Sequence, residues 1–246
     1  MATFQNITTP NYCVPCAPIL SALPSPTTIN CPATPNFITP TVTNGCLSTS
    51  LTFADVTTPS STCPLKYSIT RTWTASNSCY SATASQTINV QDVTPPVIAP
   101  LPAISTINCP AVPNFATATA TDACGGTVTL TFADVTTPSS TCPLKYSITR
   151  TWTAKDNCNN SSTASQTINV QDVTAPVIAP LPAISTINCP AVPNFATATA
   201  TDACGGIVTL TFADVTTPGT CVGNYSITRT WTAKDNCNNS STASQT

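Results

Sequence analysis

Residues 144–154 read LKYSITRTWTA, and residues 127–135 just before them read TVTLTFADV. In the first stretch Tyr146, Ile148 and Trp152 fall on alternate positions, so an extended chain turns them to one face. In the second, Val128, Leu130 and Phe132 share a face while the threonines take the other. Both are half-buried strands by their period. Arg150 has the parity of Trp152, an awkward place for a charge. Either a bulge flips it, or it pairs with an acid such as Asp134 at the sheet rim. Arg71 and Arg229 repeat the position and are read as structural. Trp73, Trp152 and Trp231 keep core parity, so the reading makes them the pins of three cores rather than platforms for stacking sugars.

Outward from this pair, alternation marks further strands at about 104–109, 115–122 and 163–171, with turns at PAVPN, CGG, TTPSSTCP and KDNCNNS. With the Pro-rich segment that makes six or seven strands, as in a sandwich. The segment INCPAVPNFATATATDACGG occurs at 107–126 and again at 187–206, and Cys31 and Cys109 mark an earlier step of the same kind. The fold expected is all-β: three tandem immunoglobulin-like β-sandwiches, stapled by disulfides, at 17–94, 95–174 and 175–246, after an N-terminal arm at 1–16. The linkers QDVTPPVIAPLP and QDVTAPVIAPLP hold Pro95, Pro96, Pro100 and Pro102 in the first copy, which restrict the backbone to extended conformations. Semi-rigid spacers of this kind predict a rod.

Composition narrows the function. Only 7% of the residues are charged, and the nine acids are all Asp; without Glu or His, and rich in Thr, Ser, Val and Ile, the chain is no helical protein. A net charge of −2 offers no footprint for nucleic acid or anionic lipid. No apolar run approaches the roughly 18 residues that cross a bilayer, so no membrane insertion is expected in this segment, and residues 1–20 lack a signal-peptide pattern. Fourteen cysteines without a histidine favour disulfides over zinc, and disulfides place the chain in an oxidising compartment, extracellular or at a cell surface.

Each repeat carries four cysteines. Cys142 and Cys158 flank one strand that spans roughly 35 Å, too far for a disulfide. If strands alternate in direction, Cys109 and Cys142 share one end and Cys124 and Cys158 the other. First-to-third and second-to-fourth pairing inside each repeat follows: Cys31–Cys63, Cys46–Cys79, Cys109–Cys142, Cys124–Cys158, Cys189–Cys221 and Cys204–Cys237. Cys13 and Cys16 remain, in CVPC, for a local or an inter-subunit bridge rather than a metal.

DVTPPVI, a Cys-Pro step, ATDACGG, RTWTAKDNCNN and TINVQD together resemble the hyalin-repeat family in its bacterial four-cysteine form. The resemblance covers the chain from Ala17 onward. It implies immunoglobulin-like modules of surface and secreted proteins, adhesion or spacing, and no catalytic residues. Repeat one departs from it, with NGC for DACGG and SNSCYS for KDNCNN, which puts any role of those aspartates in doubt there.

Without His or Glu no usual nucleophile–base triad can be built, no pair of aspartates stands out as a glycosidase pair, and no enzyme is expected. No cofactor is required. Calcium is the one candidate, through Asp92, Asp122, Asp172 and Asp202 with Asp156 and Asp235, against the plainer reading that Asp and Asn supply turn geometry. Sequons at Asn6, Asn159, Asn160, Asn224, Asn238 and Asn239 are candidate glycosylation sites, and the many outward Thr and Ser could carry O-glycans. Repeats one and two close with TINVQDV, whereas repeat three runs only to Thr246. The arm, with Phe4, Asn6 and Ile7, is a candidate donor strand for the third repeat of another copy, meeting it near Thr246; an excerpt of a longer array is the other reading. The leading function is a structural subunit of an extracellular filament or cell-surface stalk. The alternative is an adhesin segment whose repeats bind carbohydrate or protein, or space a distal binding domain.

Overall fold

A computed structural model describes residues 16–43, 48–61, 63–140 and 142–246. Among these every regular element is a strand. Repeat one holds β1 (Ile19–Leu20), β2 (Thr27–Asn30), β3 (Val42–Thr43), β4 (Ser50–Pro59), β5 (Tyr67–Ser76) and β6 (Ser81–Gln91). Repeat two holds β7 (Val97–Ile98), β8 (Ser105–Asn108), β9 (Ala120–Thr121), β10 (Thr129–Pro138), β11 (Tyr146–Lys155) and β12 (Ser161–Gln171). Repeat three holds β13 (Val177–Ile178), β14 (Ala200–Thr201), β15 (Thr209–Pro218), β16 (Tyr225–Lys234) and β17 (Ser240–Gln245).

Repeats one and two each build a four-stranded sheet, ordered β2-β6-β5-β4 and β10-β11-β12-β8, and a two-stranded one, β1-β3 and β7-β9. In the larger sheets the last long strand runs parallel to the short strand at the edge, with Ile168–Gln171 facing Ser105–Asn108 and Ile88–Gln91 facing Thr27–Asn30. In repeat three the larger sheet has three strands, β15-β16-β17. By compactness the chain forms two units that interleave in sequence. Unit 1 is Met1–Ala99 with Thr119–Leu130 and Thr153–Ser162, and unit 2 is Pro100–Ala118, Thr131–Trp152 and Thr163–Thr246.

The alternation read from the sequence sets the cores. Trp152 and Ala154 on β11 and Ile168 and Val170 on β12 are buried, as are Trp73, Ala75, Ile88 and Val90 one repeat earlier. Each such Ile or Val contributes roughly 1.5–3 kcal/mol. Each Trp meets a Phe edge-on, Phe37 on Trp73, Phe115 on Trp152 and Phe195 on Trp231, at 6.2–6.3 Å between centroids. On the opposite face, hydroxyls pair across strands, Thr149 with Thr167 and Thr151 with Ser165 at 2.9 Å. The outward threonines are therefore a cross-strand ladder.

No bulge flips the arginines. Arg150 donates from Nε and Nη2 to both carboxylate oxygens of Asp134 at 2.8 Å, and Arg71–Asp55 and Arg229–Asp214 repeat the fork. Its guanidinium also lies 4.0 Å from the Phe132 centroid and 4.5 Å from that of Phe115, so the charge is tolerated on core parity because rings and a carboxylate surround it.

Two expectations are corrected. Phe132 is 59% exposed, because β10 is an edge strand and its ring lies under the arginine instead of in a core. Of 115–122 only Ala120–Thr121 is strand; the Ala116 N–H donates to Gln166 Oε1 at 3.0 Å, so part of that segment is held by a side chain and not by a ladder.

Candidate functional site

The cysteines decide how the repeats are joined. Cys31 bonds to Cys124 and Cys63 to Cys158, within unit 1; Cys109 bonds to Cys204 and Cys142 to Cys237, within unit 2. Each of these four disulfides links one sequence repeat to the next. The pairs Cys31–Cys63, Cys109–Cys142, Cys124–Cys158 and Cys204–Cys237 expected inside repeats do not form, and Cys189 and Cys221 are free and exposed. Cys46 and Cys13 lie outside the described residues, while Cys79 and Cys16 are each disulfide-bonded.

The assignment of ends holds. β11 separates Cys142 from Cys158, and Cys109 follows β8, which runs antiparallel to β11 and so ends beside Cys142. What fails is the premise that a partner must come from the same repeat. First and third cysteines leave one end of a repeat and meet the second and fourth of the repeat that follows.

Local chemistry presents the receiving cysteines. Asp122 Oδ1 accepts from the Cys124 N–H and Asp156 Oδ1 from the Cys158 N–H, both at 2.7 Å; Asp202 and Asp235 do the same for Cys204 and Cys237. These are Asx turns, in which the acid two residues before the sulfur fixes the backbone that carries it. In repeat one Asn77 takes the role for Cys79 at 3.0 Å. Beside the disulfides, Leu65 packs on Gly126 and Leu144 on Gly206. A Cβ at either glycine would come within 3.0 Å of a leucine Cδ1, and φ is +88° and +90°.

The aspartates of these turns gather with those of the linkers. Asp92, Asp156, Asp172 and Asp235 are buried. Asn160 Nδ2 donates to Asp156 Oδ2 at 2.8 Å and to Asp92 Oδ1 at 3.4 Å, and Asn239 does likewise with Asp235 and Asp172. Burial pushes the Asp92 carboxyl above its usual value; the Thr94 N–H opposes the rise, and the charges of Asp122 and Asp156 add to it. Asp172 behaves the same way with Thr174, Asp202 and Asp235. Through these bonds the amide nitrogens of Asn160 and Asn239 hold the cluster together. Asn159 and Asn238 hold φ of 72° and 73° in the adjoining turns, Asn224 is exposed, and Asn6 lies outside the described residues, with Phe4 and Ile7.

Repeat three differs at one face. β17 ends at Gln245, so nothing in the described chain stands where Ile168–Gln171 stand in repeat two. Residues 184–188, the counterpart of β8, form no strand, and only the Ser185 N–H reaches Thr246 O, at 3.3 Å. A groove of about 850 Å³ opens there, lined by Ile184, Ile187, Phe195, Tyr225, Ile227 and Gln245 among others. Ile187 is 48% and Tyr225 52% exposed, whereas Ile107 and Tyr146 are half-buried under β12.

One set of residues escaped the sequence reading. Gln86, Gln166 and Gln245 are buried and accept the N–H groups of Ile38, Ala116 and Ala196 at 3.0–3.1 Å. Their signal was available: an amide on core parity in each SQT.

The model of the HYR-like domain with four cysteines matches residues 97–170 and 177–246. Solved structures that align include protocadherin gammaB7 EC3-6, at 15% identity over 93% of this chain and 76% of that one, and Drosophila N-cadherin EC1-4, at 12% identity over 93% and 74%. Both give a TM-score of 0.32, and nothing follows from them for this chain. No curated protein matches. Two matched copies cover more than half of the sequence, and their four cysteines are those whose pairing is described above: the chain belongs to the family of HYR-like domains with four cysteines.

Proposed function

We propose that the protein is a structural subunit of an extracellular filament or cell-surface stalk, built of three immunoglobulin-like sandwiches and extended head-to-tail by a second copy. HYR-like modules are non-enzymatic, adhesion-type domains, and the disulfides fit an extracellular or cell-surface location. One observation carries the reading: the disulfides run from repeat to repeat, with 93–95 residues between partners, so the modules form one covalently laced chain instead of separately stapled beads.

The third and first repeats carry complementary residues. Cys189 and Cys221 hold the positions of Cys109 and Cys142, which bond to the next repeat, so their natural partners are a first repeat's Cys46 and Cys79. In the internal contacts a leucine meets glycine. In the third repeat Gly223 replaces that leucine, and in the first repeat Leu47-Ser48 replace the Gly-Gly pair, which is the reciprocal exchange of large for small. Since Ala17–Pro32 matches Ala175–Pro190, residues 9–16 of the arm stand in sequence where TINVQDVT precedes Ala175. Tyr12 then falls in the place of Val170, and Pro10 in that of Ile168, at the loss of one ladder N–H. The arm of one copy is thereby the donor strand for the groove of another.

Cys79 is already bonded, so its link to Cys221 forms by exchange. The Cys221 thiolate attacks Cys79 Sγ, the new S–S bond forms, the old one breaks, and its other sulfur leaves as a thiolate, with no oxidant consumed.

Negative-stain microscopy with a non-reducing peptide map of the purified chain tests this. Filaments containing Cys221–Cys79 peptides, abolished by deleting residues 1–12, are expected. Monomers at high concentration with Cys189 and Cys221 still open to alkylation would contradict it, as would fibres that persist after the deletion.

A further inference from the structure

The disulfides and Asx turns leave a set of carboxylate oxygens without an assigned task. Asp172 is 93% buried by its 7% exposure, and its Oδ2 has no hydrogen-bond partner; Asp202 Oδ2 is likewise buried and unpartnered. One carboxylate oxygen from each of Asp172, Asp202 and Asp235 lies within 4.8 Å of the others. Buried polar atoms without partners are rare in folded proteins and call for an explanation.

Neighbouring donors do not supply one. The Thr174 N–H is spent on Asp172 Oδ1 at 3.1 Å and the Cys204 N–H on Asp202 Oδ1 at 2.7 Å. Those of Cys237 and Asn239 go to Asp235 Oδ1 at 2.7 and 2.9 Å, and Asn239 Nδ2 goes to Asp235 Oδ2 at 2.8 Å. The ion pairs among the described residues join Arg71, Arg150 and Arg229 to other aspartates. Three acids thus converge, within unit 2, with no cation opposite them. One repeat earlier, within unit 1, Asp92 Oδ2 and Asp122 Oδ2 are again buried without partners, and Asn160 Nδ2 bridges Asp92 Oδ1 and Asp156 Oδ2 at 3.4 and 2.8 Å.

We propose that each triad, Asp92/Asp122/Asp156 and Asp172/Asp202/Asp235, is a calcium site. The donors are all hard oxygens, the nearby sulfurs are tied up as disulfides, and a divalent cation would satisfy at once the orphaned atoms and the mutual repulsion of the carboxylates. Asp172 and Asp202 each have one oxygen clear of hydrogen bonds, so water completes the six to eight ligands that Ca²⁺ takes. A site so sparsely furnished belongs in the weak range of extracellular modules, about 10⁻⁴–10⁻³ M. An oxygen of Asp172 also lies within 4.8 Å of the Cys109 and Cys204 sulfurs, as Asp92 does with Cys31 and Cys124, so cation and disulfide fasten the same joint. Repeat one has Asn44 and Asn77 at the positions of Asp122 and Asp156 and carries no such triad. Two sites per chain are expected. The inference concerns the inside of one chain and stands whether or not copies assemble.

The test is calorimetric titration of CaCl2 into the oxidised, chelator-stripped full chain, with thermal melts alongside. Expected are two bound Ca²⁺ per chain and a melting temperature raised by calcium, one site lost in Asp172→Asn, both lost in Asp92→Asn/Asp172→Asn, and both kept in Asp134→Asn. The wild-type melt stands by itself if a variant folds poorly. No heat and no melting shift at about 10 mM CaCl2, well above that affinity range, would overturn the proposal. So would an equal shift from MgCl2 at matched ionic strength, or binding that survives in the double variant.

Discussion

Repeats two and three are nearly the same sequence in two conditions. In repeat two, Ile168 and Val170 of β12 lie between β11 and β8 and are 3% and 2% exposed. In repeat three the corresponding strand ends at Gln245, the counterpart of β8 loses its strand geometry, and Ile187 and Tyr225 face solvent. Trp231 nevertheless stays 4% exposed on Phe195, and the Arg229–Asp214 fork is intact. The module therefore has two layers of order. The half around Trp and Arg is set by β10 and β11 or their counterparts in all three repeats, whereas among the described residues the parallel pair occurs in the two repeats that contain an I-x-V strand.

The cysteines draw the same contrast and give the largest expected effect. Cys142→Ser removes a cross-link between residues 95 apart, which the chain-entropy picture values at about 4–5 kcal/mol. Cys221→Ser, at the equivalent place in repeat three, removes none in the isolated chain. Denaturant melts of the two variants should differ by most of that amount, and equal stability would show that the Cys142–Cys237 bond is not made.

Next in size is the strand itself. Ile168→Ala should cost about 2–5 kcal/mol and loosen the Ser105–Asn108 edge. The same residue grafted the other way, by appending INVQDV after Thr246, should bury Tyr225 and raise the stability of repeat three. Hydrogen exchange reads the first at residues 105–108 and the second at residues 185–188; unchanged exchange at 185–188 in the extended chain would show that the groove does not take a strand of this pattern. Gly206→Ala meets Leu144 at 3.0 Å with φ at +90° and should cost about 1–2 kcal/mol, whereas Gly223→Ala has open space, if also a positive φ, and should cost less in the isolated chain.

The smallest effect is electrostatic. Hydrogen bonding from Arg150 holds the Asp134 carboxyl below its usual value; desolvation opposes it in part, and the Arg150 charge adds a smaller lowering. Its contribution is therefore present above the unfolded carboxylate value, about 3.9, and is lost as pH falls through the lowered folded one. Asp134→Asn should flatten the acid limb of a stability–pH curve slightly. An unchanged limb would mean that the fork, a third exposed on its acid side, is screened by solvent.

How far the residues announce this can be traced position by position. Tyr146, Ile148 and Trp152 give the strand and its inner face because a period of two reports one side of a sheet directly. The Arg150–Asp134 pair is legible because a charge on core parity demands a partner. The ends at which the cysteines sit follow from strand direction. Their pairing does not, since alternation within a repeat carries no information about what lies beyond its end; the D-x-C turns and the Leu-against-Gly contact that aim Cys124 and Cys158 outward show their purpose only in three dimensions. The buried glutamines were hidden by the habit of reading polar residues in strands as solvent-facing. The aspartates were visible as a cluster, but their orphaned oxygens were not.

All of this turns on whether the sulfurs join repeat to repeat. Peptide mapping of the native, unreduced chain by mass spectrometry, after alkylation of free thiols, measures it. The account predicts Cys31–Cys124, Cys63–Cys158, Cys109–Cys204 and Cys142–Cys237, with Cys189 and Cys221 alkylated in the monomer. Cys109–Cys142 and Cys124–Cys158 peptides in their place would contradict it.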